Sequence, residues 1–162
     1  MQLTPDHTQQ PQTPAETGRE LEERLEAQAG RAFPYATVGD YVLLRDDLHA
    51  KSKLIYWFLR AHVNRERGND QVWPTLLTIA DFLQMKAKSR KKREEAAAAY
   101  IKPLIDMGAV EKRTVRYGPN RMYQRNVYSV HEAPAQDYDG LWSLGEWYAR
   151  RKAQSAKSGP QQ

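Results

Sequence analysis

Hydrophobic and polar positions divide the chain into a patterned middle and two polar ends. The first 17 residues hold three prolines, four threonines and four glutamines without an aromatic. They carry too little apolar surface to offset the entropy of ordering them, so residues 1–17 are expected to be a disordered arm. Thr17 and Glu20 have capping-box spacing, and Leu21 and Leu25 share one face of a helix running to about Ala29, which makes 18–34 an N-terminal helical segment. Two leucines cannot stabilise it alone, so it packs on the core or pairs with a second copy.

The middle alternates between helical and extended patterns. Tyr41 to Leu44 reads as a short β-rich run. Ser52 is placed to cap a helix whose inward positions are Ile55, Phe58, Leu59, His62 and Val63, and Gly68, Asn69 and Asp70 mark its end. Val72, Trp73 and Pro74 form an extended approach to a helix of about nine residues capped by Thr75, with Leu76, Ile79, Ala80 and Leu83 on one face. Ser89 opens a third helix over Arg90 to Met107, with Ala97, Ile101, Leu104 and Ile105 inward and Gly108 as its stop. Pro103 lies within it, removes the bond to the Ala99 carbonyl, and is expected to kink or divide the helix. Two runs rich in Val, Tyr and Thr, Val110 to Tyr117 and Met122 to Val130, flank Gly118, Pro119 and Asn120 and predict a β-hairpin.

Towards the end, Ser143 and Glu146 form a second capping box, and Trp142 and Trp147 occupy the two positions of a hydrophobic staple. The spacing predicts a helix over Leu144 to Arg151 inside a Trp-containing segment, 134–152, followed by a frayed tail over 153–162. The predicted class is α+β, mostly α.

Composition narrows this further. The 162 residues are 40% hydrophobic and 28% charged with a mean hydropathy of −0.83, which suits one domain with solvated ends. The absence of cysteine excludes a disulfide framework, a thiolate zinc site and a cysteine nucleophile, and it fits a reducing cytoplasm. The apolar run Ile55 to Leu59 is far short of the ~20 residues that span a bilayer, and the first residues lack a charged-then-apolar signal pattern. No membrane partner is expected.

Charge adds the functional direction. The net charge is +5, but residues 86–125 alone hold twelve basic side chains against four acidic ones, a surplus of +8 that leaves the rest of the chain at −3. A merely solubilising surface would mix its signs, whereas a nucleic-acid footprint concentrates one sign. Six of the eight residues 86–93 are basic, at the start of the third helix, where free backbone N–H groups and the helix dipole already favour a phosphate.

A short helix, a tight connection and a second helix opening with cations form a helix-turn-helix arrangement, and the hairpin after it supplies a wing. In that reading Arg90 and Arg93 contact bases, Lys86 or Lys88 on the approach holds a phosphate, and Thr75, Ser89, Lys91 and Lys92 belong to the same DNA-binding set. The wing contributes Arg113, Arg116, Tyr117, Asn120, Arg121 and Arg125.

These residues resemble the winged helix-turn-helix proteins of phages and plasmids, including replisome organisers and the N-terminal domains of replication initiators. The resemblance covers about Tyr41 to Val130. It rests on Trp73-Pro74-Thr75, on the Ile79-Ala80 pair, on Leu104 before Gly108, and on Asn126 and Tyr128 in the second wing strand. Tyr138, Gly140, Ser143, Leu144, Trp147 and Tyr148 look like a pattern of actinobacterial mobile-element proteins. In one departure, the interval from Met85 to Leu104 is about two helical turns longer than usual. The resemblance implies a winged-helix domain over 35–133 with N- and C-terminal helical extensions. It implies a nucleoid-associated cytoplasmic protein that binds double-stranded DNA as a homodimer and acts in transcription or in replication-origin recognition.

Plainer readings compete at several points. The basic run also suits a solvated connector, Trp73 is expected to be a core or interhelix anchor rather than a base-stacking residue, and the Ala96 to Ala99 run reads as helix propensity with close packing. Trp142, Leu144, Trp147 and Tyr148 cover either this domain's own apolar face or another subunit or partner. The four histidines lack metal-ligand spacing, and no Gly-rich phosphate loop or nucleophile elbow is present, so no cofactor, metal or enzymatic activity is expected. The competing function is a protein-binding or RNA-binding adaptor built on the same fold.

Overall fold

The computed structural model describes residues 36–63 and 70–159. The expected arm, the N-terminal helix, and Gly68 and Asn69 lie outside those residues. The described elements are α1 (Asp40–Leu43), α2 (Ala50–Ala61), β1 (Gln71–Val72), α3 (Leu76–Phe82), α4 (Arg90–Asp106), β2 (Val110–Tyr117), a 3-10 turn (Pro119–Arg121), β3 (Tyr123–Val130) and α5 (Leu144–Lys157). The class is mixed α+β with one small three-stranded antiparallel sheet, ordered β1-β3-β2. No helix among the described residues is long and apolar enough to cross a membrane.

The predicted β-run at Tyr41 to Leu44 is instead the single helical turn α1. Tyr41 and Val42 are both buried, which one face of a strand could not achieve for adjacent residues. In α2 the cap is His49, whose Nδ1 accepts from Lys51 N at 3.1 Å. Ser52, predicted as the cap, is buried in the helix and its Oγ donates to Tyr100 O at 2.7 Å, tying α2 to α4. The helix ends at Ala61, well before Gly68. Its last turn tightens, with His62 N donating to Leu59 O and Val63 N to Arg60 O, each at 3.1 Å. Ile55, Phe58, Leu59 and Val63 are buried as the periodicity predicts.

Thr75 caps α3 through a 3.1 Å bond from Thr78 N. Gln84 takes φ +54° just after α3, where Met85 N reaches Ala80 O and Gln84 N reaches Asp81 O, both at 3.0 Å. That is a Schellman stop made without glycine, and the left-handed backbone is strained there. The stop after α4 is the same motif with its preferred residue: Gly108 has φ +75° and Ala109 N reaches Leu104 O at 3.0 Å. Pro103 does not divide α4, which runs unbroken from Arg90 to Asp106.

The core lies between the helices and one face of the sheet. Ile55, Leu59, Ile79, Ala80, Ala97, Ile101 and Leu104 meet Val72, Val110, Tyr128 and Val130 there, all essentially inaccessible to solvent. Burial pushes the Tyr128 phenol up to about 12 and raises those of Tyr41 and Tyr56 as well. The hydroxyls of Tyr41 and Tyr56 both donate to His131 O, at 3.1 and 2.7 Å, which fastens α1 and α2 to the end of β3.

Arg60 fastens the same region. Its side chain is 2% exposed and donates to Thr37 O (2.8 Å), Val130 O (2.9 Å), Glu132 Oε2 (3.1 Å) and Asp70 Oδ1 (3.3 Å).

Candidate nucleic-acid interface

The cations of residues 86–125 fall into two groups, according to whether a carboxylate reaches them. Around the amino end of α4, Ser89 Oγ accepts from Lys92 N at 3.2 Å and sets the helix start. Lys86, Lys88 and Lys92 are exposed and have no carboxylate partner among the described residues. Their neighbours do. Arg90 Nε meets Glu94 Oε1 at 3.1 Å, Lys91 Nζ meets Glu95 Oε1 at 3.9 Å, and Arg93 Nη1 meets Asp81 Oδ1 at 2.6 Å. The first two pairs are one helical turn apart; the third links α4 to α3. Exposed pairs contribute about 0.2–1 kcal/mol each, below the about 1.5–3 kcal/mol of a hydrogen bond to a charged group.

The hairpin is different. Arg113 pairs in register with Val127, Val115 with Arg125, and Tyr117 with Tyr123. Directly opposed residues share a face, so these six lie together on the outer side of the sheet, away from Tyr128 and Val130. Lys112, Thr114 and Arg116 lie on the opposite face with Tyr128, Asn126 and Gln124. Arg121 stands at the tip. The four wing arginines are thus divided, two on the outer face, one on the inner and one at the end. None of Lys112, Arg116, Arg121 and Arg125 has a carboxylate partner among the described residues, and Arg113 Nη2 donates to the neutral Gln71 Oε1 at 3.0 Å. Glu111, the single acid in either strand, faces His131 Nε2 at 3.3 Å.

The tip is shaped by left-handed backbone: Gly118, Asn120 and Arg121 have φ of +81°, +52° and +54°. A side chain on Gly118 would place Cβ 2.5 Å from the Tyr123 ring, so only glycine lets that ring fold back over the turn. Tyr123 in turn packs on Tyr117, with ring centroids 5.6 Å apart. Met122 projects beside them, 73% exposed.

Trp73 departs from the core-anchor reading. It follows Gln71 and Val72 in an extended approach, and alternation turns it away from buried Val72. Its ring lies 5.0 Å from the Arg125 guanidinium carbon, which is 5.5 Å from the Tyr117 ring. Trp73, Tyr123, Met122 and Lys112 were not among the predicted site residues. Period-two pairing within the hairpin, which sets Tyr123 opposite Tyr117, is the signal that would have found Tyr123, whereas Trp73 joins the face only through the pairing of β1 with β3. Thr75, by contrast, spends its hydroxyl on the helix cap.

The predicted second surface is also exposed. No residue of α5 is buried; Trp142, Leu144 and Tyr148 are 43%, 48% and 57% exposed, and Trp147 is half-buried. Ser143 Oγ accepts from Glu146 N at 3.3 Å, and Glu146 Oε2 accepts from Trp142 N at 2.7 Å. The two tryptophans of the expected staple find other neighbours: Trp142 lies by Tyr138, and Trp147 by Tyr148 and Arg151. The helix continues to Lys157 instead of fraying at Ala153, and within it Ser155 Oγ donates to Arg151 O at 3.1 Å. Between α5 and the loop after α1 lies an open cleft of about 450 Å³ that includes Arg45, Asp47, Trp147, Arg150 and Arg151. The Arg45 guanidinium, bonded at 2.7 Å, holds the Asp47 carboxyl below its usual range.

No protein-family model matches the chain, and neither a curated protein nor a solved structure matches it.

Proposed function

We propose that the chain binds double-stranded DNA as a winged helix-turn-helix protein, with α3 and α4 as the helix pair and β2 and β3 as the wing. The observation that carries this reading is the concentration of unpaired cations on the hairpin, beside three more at the approach to α4. The element order supports it, since a third strand, β1, pairs with β3 and anchors the hairpin to the approach of α3. The hairpin strands of eight residues are about 27 Å long, enough to carry the tip along the whole of α4 at about 25 Å. The protein acts without a cofactor or catalytic step, as a transcriptional regulator or a replication-origin recognition factor of a mobile element. A homodimer suits it, because a single wing and helix read few base pairs.

A second reading is favoured by one observation. The exposed Trp142, Leu144 and Tyr148 on α5 suit a protein partner, so the chain is an adaptor whose basic region holds RNA or an acidic surface. Gel-shift of a random-sequence duplex, with single-stranded RNA as competitor, separates the two. Duplex retained against RNA supports the first reading; preference for RNA, or for neither, supports the second.

A further inference from the structure

Two arginines of the fold, Arg60 and Arg125, make opposite use of their donors. Arg60 is enclosed, and all its partners are oxygen atoms at 2.8–3.3 Å. Arg125 is half-buried on the outer face of the sheet, yet it has neither a hydrogen-bond acceptor nor an ion pair among the described residues. Its Nε is inaccessible and unpartnered, and so is the indole Nε1 of Trp73. What holds the guanidinium is aromatic: Trp73 and Tyr117 lie within 5.0 and 5.5 Å of it, and Tyr123 backs Tyr117.

Rings attract the cation but accept none of its in-plane N–H bonds. A guanidinium packed in this way keeps its plane and its donor directions fixed, so less freedom is lost when an acceptor arrives. With Nε inaccessible, the two terminal nitrogens are the donors open to a ligand, and the acceptor that matches such a planar pair is an anion with two adjacent oxygens. Arg113 lies on the same face, and Glu111, the single acid in either hairpin strand, faces His131. We propose that Trp73, Arg125 and Tyr117 form a preformed site for a phosphodiester group of the nucleic-acid backbone, with Arg113 as its second cation. The identity of the polymer rests on the duplex-binding reading; the anion site itself does not.

The test uses the full chain labelled with 5-fluorotryptophan, whose four 19F resonances are assigned by single Trp→Phe variants. It is titrated with a random-sequence duplex and, separately, with millimolar inorganic phosphate against chloride at matched ionic strength. The Trp73 resonance is expected to move with both. Arg125→Lys, which keeps the charge but not the planar fork, is expected to weaken duplex binding about tenfold, close to Arg125→Ala. Duplex binding with an unmoved Trp73 resonance, or an Arg125→Lys variant that binds as the parent does, overturns the site and leaves the duplex reading intact. A Trp73 response to phosphate without any duplex binding upholds the site and removes the duplex reading. Absence of duplex binding together with no Trp73 response to phosphate removes both.

Discussion

The amino end of α4 and the hairpin carry similar numbers of cations but differ in how the fold treats them. On α4, acids one turn along the helix and on α3 meet Arg90, Lys91 and Arg93. On the hairpin no acid meets Lys112, Arg116, Arg121 or Arg125 among the described residues. A helix brings residues four apart to one face, so the Glu94 and Glu95 that follow Arg90 and Lys91 partly neutralise them. A strand sends alternate residues to opposite faces and lets a run of basic residues stay unpaired. Among the described residues the hairpin therefore keeps more cations without a carboxylate than the amino end of α4 does, and the arginines favoured for base contact are the ones already engaged.

That contrast can be broken from either side. Replacing Arg113, Arg116, Arg121 and Arg125 together by Gln should weaken binding to a random duplex by about 10²–10³-fold, as judged by fluorescence anisotropy at low salt. The matching change of Arg90, Lys91 and Arg93 should cost about tenfold on random DNA, because part of their field is already cancelled. Equal losses would erase the distinction between the two regions. In the opposite direction, removing the acids by Glu94→Gln, Glu95→Gln and Asp81→Asn should strengthen duplex binding about two- to fivefold. Unchanged affinity would mean that these pairs do not restrain the α4 cations.

The smallest effect concerns the turn between α3 and α4 rather than its charges. Gln84→Gly relieves a left-handed backbone at φ +54° and should raise stability by about 1 kcal/mol. Thermal unfolding should shift upward by about 3–5 °C with duplex affinity unaltered. A lower melting temperature would show that the Gln84 side chain contributes more than its backbone costs.

Much of this architecture was legible because local signals agreed with one another. The first wing strand, all of the second but Met122, the caps at Thr75, Ser89 and Ser143, and the stop at Gly108 follow from neighbouring residues, and the structure keeps them. What escaped depended on distant partners. Ser52 looked like a cap until Tyr100, 48 residues away, took its hydroxyl, and Tyr41 to Leu44 looked extended until burial of both Tyr41 and Val42 favoured a helical turn.

At the site, the cations were visible in the sequence but their pairing was only half so. The Arg90–Glu94 and Lys91–Glu95 spacings stand in the sequence, whereas Arg93–Asp81 joins two helices. The stacking of Trp73 on Arg125 depends on β1 pairing with β3, a two-residue strand that no local pattern announced.

The most direct measurement is the affinity for a random-sequence duplex between about 50 and 200 mM salt, where about six phosphate contacts would lower it by about three orders of magnitude. With the four hairpin arginines replaced, the slope of log affinity against log salt should shrink by about three to four units. A flat dependence in the parent protein, or a slope that the hairpin changes leave untouched, would contradict DNA binding through the hairpin.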